Sequence, residues 1–460
     1  MIKKLLSLLL SLMLLSTLCL SFTSCGEEDN GDGGAASVSG DTVTLSVYNW
    51  GEYISDGSEE SVDVNAAFEA YCRNILGMKV KVLYSTYATN EDMYSKIKNS
   101  AGSYDVLFPS DYMIERMIEE DMLYELDAST LPNFGYISEA FKGDNCYYDP
   151  GNMYSVPYTY GMVGVIYNSN MVDESDVTGS WDLLWNENYT RKILQINNPR
   201  DAFGIAMYKL GIDPNTNKKE DWDLALEELK KQKPLLQAYV SDEIFNKMTT
   251  ESAAVAPYFA GDYVTMYYDI TDYGENHDDN FLEFYYPSEG TNYFVDGICI
   301  TKSCAEDEVR LKLAKEYINF LLSPEIAVAN ALYVGYASPH DEVKRSEVYR
   351  DGMGEHAYEI LYGESAEEAL KTAIPYRSLN KTYIDLGDGE SEIAQIYLND
   401  CWEELKTWSA VEPWVHVVSI LIIVGLLGLC IFTVYIRKKR SRFYRYRDRE
   451  AKAVKGNAKG

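Results

Sequence analysis

The segment Tyr48-Asn49-Trp50-Gly51-Glu52-Tyr53 brings an indole face, a carboxylate and a phenol within four residues. Together these groups suit an organic cation: aromatic faces attract it and the acid supplies the counter-charge. The plainer alternative is that Trp50 and Tyr53 plug a protein surface while Glu52 is solvated. Residues 42–47 alternate β-branched or apolar side chains with polar ones, the period of a half-buried strand. A strand end would therefore deliver Trp50, Glu52 and Tyr53 onto the following loop.

Catalysis finds little support in the residue types. The histidines are His277, His340, His356 and His416, and no two are spaced as a helical zinc pair. There is no Gly-x-Ser-x-Gly and no glycine loop for a phosphate. No catalytic group, metal or cofactor is therefore expected.

Lys3 and Lys4, a leucine-rich stretch and small residues before Cys25 read as a secretory signal over 1–25. Phe22-Thr23-Ser24-Cys25 looks like a lipobox, in which the cysteine becomes lipidated and N-terminal after cleavage. The stretch 26–40 is Gly, Asp, Glu and Ser with almost nothing to bury, as a flexible acidic linker should be. At the other end, 415–436 contains no charge and is long enough to cross ~30 Å of hydrocarbon as a transmembrane helix. Trp408 and Trp414 precede it and Arg437-Lys438-Lys439-Arg440 follows. The positive-inside bias then puts the basic tail 437–460 in the cytoplasm and 26–410 outside. The whole chain carries a net charge of −31, and because its tail is basic the acid lies in the exported part. Such a field repels nucleic acid and concentrates cations near a cleft. Cys72, Cys146, Cys299, Cys304 and Cys401 would lie outside, an odd set without CxxC spacing. That argues against a disulfide framework and leaves one incidental bridge open.

The elements that must position the aromatic cluster alternate. Strand 42–48 leads to a helix-compatible stretch at 61–76, with Val62, Ala66, Phe68 and Ile75 as its apolar face. Strand 79–84 follows, then Thr89-Asn90-Glu91 as the cap of a helix through Ile97. Strand 104–108 leads into Ser110 and a helix to about Asp121. This βαβα order predicts an α/β fold with parallel sheets covered by helices. About 365 residues exceed one comfortable core, so two lobes are expected. The Tyr, Gly and Val-rich run 154–167 reads as a strand crossing between them, with a second crossing near 292–301.

Residues 42–406 resemble the spermidine/putrescine-binding proteins of polyamine ABC importers. Seven segments match in family order: the opening hexapeptide; Tyr84-Ser85-Thr86-Tyr87 with Asn90-Glu91-Asp92-Met93-Tyr94; Tyr104-Asp105 through Pro109-Ser110-Asp111-Tyr112; Pro199-Arg200-Asp201-Ala202-Phe203; Pro287 to Asp296; Ile318-Asn319-Phe320-Leu321-Leu322-Ser323-Pro324; and Gly335-Tyr336-Ala337-Ser338-Pro339. The resemblance implies a two-lobed type II periplasmic-binding-protein fold with hinge crossings. Its first lobe would hold 41–160 and 295–345, its second 161–294 and 346–406.

The resemblance also implies a ligand pocket. Trp50 and Tyr53 match the aromatic wall of the first lobe, with Glu52 near one amine. Ser110 and Tyr112 match a hydroxyl pair after the third strand. Asn198 and Asp201 stand where the family has two acids, so the first is amidated here. Phe259, within Phe259-Ala260-Gly261-Asp262, replaces a Trp, and Asp262 matches an acid of putrescine-selective members. Phe294 replaces another Trp, Asp296 matches the acid that pairs with an amine, and Tyr336 matches the ring that closes the site. The last polar contact would fall near 386–388. Simpler readings exist: Asp201 as a helix N-terminal acid, Asp262 as a turn residue, Phe294 and Tyr336 as core. Asp296 is harder to dismiss, since a carboxylate inside Tyr-Phe-Val-Asp-Gly-Ile-Cys-Ile needs a partner.

A polyamine is an apolar rod with a charge at each end, so its site needs spaced carboxylates between aromatic walls. The resemblance thus implies an extracellular or periplasmic receptor, held at the cell membrane, that closes on a polyamine. It would deliver the ligand to ABC permease subunits with a cytoplasmic ATPase. The alternatives are the same fold binding another organic cation or solute, and a ligand-sensing receptor ectodomain.

Overall fold

The structure is a computed structural model that describes residues 42–58, 61–100, 102–270, 280–387, 389–409 and 413–457. The expected signal, Cys25 and the linker 26–40 lie outside the described residues, as do His277 and Asp388. The chain divides into two compact units, Met1–Leu405 and Lys406–Gly460.

In the larger unit, strand β1 (Val43–Trp50) lies parallel to β2 (Val80–Tyr87) and to β3 (Val106–Leu107). Strand β4 (Ser155–Asn168) then supplies two ladders. Its first half pairs antiparallel with β9 (Tyr293–Ile300), which also borders β3. Its second half pairs antiparallel with β7 (Val255–Phe259) and β8 (Leu282–Tyr285). Strand β5 (Ile193–Ile196) lies parallel to β7 and to β6 (Leu236–Val240). The resulting order is β2-β1-β3-β9-β4-β7-β5-β6, with β8 also on β4. The expectation of parallel sheets holds at both outer ends and fails in the middle. A chain that leaves one half on β4 and returns on β9 must run the second strand against the first.

The helices follow their caps. Helix α1 (Val64–Tyr71) starts where the Asp63 carboxylate accepts from the Ala66 N–H at 2.8 Å. That start puts Val64, Phe68 and Cys72 on the buried face and leaves Ala66 and Ile75 exposed, correcting the face read from the sequence. Thr89 caps α2 (Asn90–Asn99) as expected, accepting from Asp92 N–H at 3.1 Å. Helix α3 (Asp111–Glu119) follows β3, α4 (Pro199–Leu210) follows β5, and α5 (Ala260–Ile270) follows β7. Each therefore begins at the end of a strand, where open α/β sheets place their ligands.

Apolar side chains gather in three clusters. One is built on Leu45, Phe68, Met113 and Tyr317, the second on Trp181, Tyr263 and Tyr349, and the third on Phe203, Trp222 and Trp402. Helix α6 (Pro324–Val334) gives Val328 and Ala331 to the second cluster, and Ala337 and Val343 join them there. The stretch 328–343 also touches the first half, where Asn330 Oδ1 accepts from Ser55 N–H at 2.9 Å and His340 bridges to Ile137. Cys72, Cys146, Cys299, Cys304 and Cys401 are buried free thiols.

In the smaller unit, α7 (Pro413–Asn457) is one continuous helix. Within it Ile420–Arg440 is long and apolar enough to cross a membrane, and none of that stretch is buried.

Candidate ligand-binding site

Strand ends build the site. At the end of β1 the Trp50 indole Nε1 donates to the Phe108 carbonyl at 2.9 Å, and the ring lies 4.6 Å from that of Tyr87. The chain then turns through Glu52, whose φ of +53° is uncommon for a residue with a side chain. That turn swings Tyr53 inward, where its hydroxyl donates to Asp296 Oδ2 at 2.6 Å and meets the Thr159 hydroxyl at 2.5 Å.

Asp296 occupies the centre. It stands on β9 directly across from Thr159 on β4, and its backbone bridges to Ser110. The residue is 4% exposed, and its second oxygen, Oδ1, is buried with no hydrogen-bond partner. Burial pushes the carboxyl up to about 6, against the pull of the Ser110, Tyr53 and Thr159 hydroxyls.

One wall comes from α2 and α3. Asn90 Nδ2 donates to the Ser110 hydroxyl at 3.0 Å and to the Tyr112 hydroxyl at 3.1 Å, and Tyr112 donates onward to Glu91 at 3.1 Å. The facing wall is the start of α4. Asn198 caps that helix, its side-chain oxygen accepting from Arg200 N–H at 2.8 Å and Asp201 N–H at 3.2 Å. Both lone pairs of that oxygen are therefore used, and only the amide nitrogen, a donor, remains. Asp201 is buried, and burial pushes its carboxyl up to about 7; Glu91 adds to the rise while Arg200 and Tyr376 oppose it.

The third wall is aromatic. Phe259 meets Phe294 edge-on with centroids 5.4 Å apart, and Tyr336 sits 6.1 Å from Phe294 and 5.5 Å from Tyr53. The Tyr336 hydroxyl donates to Asp262 Oδ2 at 2.5 Å in the first turn of α5. Burial pushes the Asp262 carboxyl up to about 7, helped by Asp242 and Glu52. Two glycines make room for these rings. A Cβ at Gly161 would come 2.8 Å from Phe294 Cζ, and one at Gly261 would come 2.5 Å from Tyr336 Cδ2.

The fold thus brings Trp50, Glu52, Tyr53, Ser110, Tyr112, Asn198, Asp201, Phe259, Asp262, Phe294, Asp296 and Tyr336 to one cleft of about 1200 Å³. Asn90, Arg200, Asp242 and Tyr376 also line it. Of these, Arg200 and Tyr376 change the electrostatics, and sequence reasoning missed their part. The Arg200 guanidinium lies 4.5 Å from the Tyr376 ring and donates to Pro214 O and Asn215 Oδ1, both at 2.7 Å. Its two terminal nitrogens are thereby engaged by the protein, while its Nε is buried without a partner. Arg200 stood inside a matched segment, whereas Tyr376 carried no motif at all. Leu386, near the expected last contact, packs on the third apolar cluster instead, while Tyr376 lines the cleft.

An aromatic slot lined by the carboxylates of Asp111, Asp201, Asp262 and Asp296, the last with one oxygen that lacks a partner, can hold an organic cation by ring faces and counter-charge. Two α/β halves joined by crossing strands, with such a cleft at the crossing, define a solute-binding protein. A family model for bacterial extracellular solute-binding proteins matches residues 66–353, and the chain belongs to that family. The spermidine/putrescine-binding periplasmic protein of Salmonella typhimurium is 33% identical over 310 residues, covering 67% of this chain and 81% of that protein. The protein of that name in Escherichia coli K12 is 32% identical over the same shares. Among solved structures, a putative spermidine/putrescine ABC transporter protein from Listeria monocytogenes is 30% identical with a TM-score of 0.64. It covers 80% of this chain and 99% of its own. The spermidine/putrescine ABC transporter substrate-binding protein PotD from Streptococcus pneumoniae is 28% identical with a TM-score of 0.59, covering 79% and 98%. The chain is accordingly a binding protein and not an enzyme.

Proposed function

We propose that this protein is a membrane-held receptor that closes on putrescine or spermidine outside the cell and delivers it to an ABC permease. The observation that carries the reading is Asp296 Oδ1, a buried carboxylate oxygen without a donor, set among the aromatic rings of the cleft. A desolvated carboxylate without a partner is costly, and an ammonium group supplies both donor and charge. Asp201 and Asp262 stand on α4 and α5 and are separate stations for further ammonium groups. The relatives named for spermidine and putrescine support the same ligand class.

In this reading the first lobe takes 41–160 and 295–345 and the second takes 161–294 and 346–406. Contacts from both lobes favour the closed form, which is how binding becomes a shape a permease can read. The signal 1–25 exports the chain, Cys25 carries lipid, 26–40 is the tether, 415–436 spans the bilayer and 437–460 is cytoplasmic. Two anchors would keep the receptor at raised effective concentration near its permease. The test is thermal unfolding of the full chain with putrescine, spermidine, spermine, cadaverine and arginine. A rise with putrescine or spermidine is expected; a rise with arginine alone would reassign the ligand class.

A further inference from the structure

Helix α3 starts at the cleft and leaves it along one stripe. Asp111 and Tyr112 line the cleft, while Glu115 and Glu119, four and eight residues past Asp111, continue that face beyond it. There the Arg377 guanidinium reaches Glu115. Its Nε lies 3.1 and 3.2 Å from the two carboxylate oxygens, and its Nη2 lies 2.5 Å from Oε1. The Ser378 N–H adds a donor to Oε2 at 2.7 Å, and Lys381 Nζ lies 3.4 Å from Glu119. The guanidinium also sits 5.8 Å from the Tyr147 ring, whose hydroxyl donates to Asp111.

The other end of this contact is rooted in the opposite half. Asn215 Nδ2 donates to Pro375 O at 2.9 Å, and Asn215 Oδ1 accepts from Arg377 N–H at 2.9 Å. Arg200 Nη2 donates to Arg377 O at 3.3 Å. Between these anchors Tyr376 packs so closely on α4 that a Cβ at Gly204 would come 2.1 Å from its hydroxyl. One short segment therefore turns Tyr376 into the cleft beside Asp201 and Arg377 across to α3. Exposed ion pairs contribute little. This one differs: Glu115 is 17% exposed, the fork is bidentate, and a backbone N–H shares the carboxylate.

We propose that Glu115 and Arg377 form a clasp that holds the two halves closed, making both of them positioning residues for a ligand that neither touches. Neither lines the cleft, so the clasp acts on the open–closed equilibrium and not on ligand chemistry. It weakens or tightens every ligand by the same factor. It acts mainly on the dissociation rate, since the contact forms only as the lobes meet.

The clasp rests on the polyamine reading for its choice of probe, so the experiment has a ligand-free arm. In the full chain, Arg377→Ala and Glu115→Arg should each weaken putrescine and spermidine equally, by roughly 5- to 10-fold. Dissociation should be faster. The double variant Glu115→Arg/Arg377→Glu should recover most of the loss, which a merely structural role would not. In the ligand-free arm, spin labels at the exposed positions Leu83 and Ile396, one in each half, should move apart in Arg377→Ala, in a Cys430→Ser background. Single variants within twofold of wild type, losses that differ between the two ligands, or a double variant no better than the singles would each overturn the clasp. If wild type binds neither probe, the polyamine reading fails, and the label distance alone decides: a longer distance upholds the clasp and an unchanged one removes it.

Discussion

Replacing Asp296 by Asn changes one atom's chemistry at the centre of the cleft and nearly nothing of its shape. The amide oxygen can still accept from Tyr53, now 2.6 Å away, while the charge disappears. Burial raises this carboxyl from 3.8 to about 6, a shift worth about 3 kcal/mol against the ionised form. At pH 7.5 the unliganded wild type carries that cost, so Asp296→Asn should raise the unfolding temperature of the empty protein. Affinity should move the other way. A buried ammonium left without its counter-charge loses about 2–5 kcal/mol, at least roughly 30-fold in the dissociation constant. Calorimetry with putrescine at pH 7.5, paired with thermal unfolding of the empty chain, reads both halves. Affinity within threefold of wild type would remove Asp296 from the site. An empty variant less stable than wild type would refute the assignment of Oδ1 as an uncompensated charge.

Three further outcomes are expected. Asp201 and Asp262 are raised to about 7 and Asp296 to about 6, so the folded empty chain retains protons that the unfolded chain releases above pH 4. Its stability should therefore fall as pH rises from 4 through 7, while affinity for an ammonium ligand rises over the same range; unfolding temperatures at pH 5 and 8, with and without putrescine, check both signs. Asn198 caps α4 with its oxygen fully used, so putrescine should bind at least as well as spermidine, and Asn198→Asp should shift preference toward the longer ligand by adding charge without losing the cap; competition titration showing spermidine tenfold better in wild type would contradict this. Protease added to intact cells should remove the bulk of the chain and leave a small fragment containing 437–460; protection of the large domain would reverse the topology.

Sequence made the site legible where a residue's role is carried by its own strand or helix. The alternation over 42–47 announces β1, and the loop after it carries Trp50 and Tyr53 wherever the rest of the chain goes. A carboxylate inside the apolar strand β9 announces itself the same way, because burial without a partner is rare. Roles set by the other side of a contact were hidden. Asn198 reads as a ligand amide until the cap geometry spends its oxygen on two backbone donors. Ile75 reads as core until Asp63 fixes where the helix begins. Tyr376 lies in a stretch without periodicity, and only the close approach at Gly204 and the Arg200 stack bring it to the cleft. The antiparallel centre of the sheet is a property of two crossings taken together, which no local window contains.

The same features that made the site hard to read explain how it can work. Three carboxylates held above their ordinary range are a standing cost to the empty fold. They sit on separate elements, Asp296 on the crossing strand β9 and Asp201 and Asp262 on α4 and α5. A cation that relieves one of them lowers the energy of one wall only. A cation long enough to reach two lowers the energy of the arrangement in which both walls approach, so relief of charge and closure of the cleft become one event. That coupling needs the acids to be uncomfortable when alone, which is why an amide at Asp296 or Asp262, keeping the acceptor for Tyr53 or Tyr336, should stabilise the empty chain and uncouple the proposed closure from the ligand.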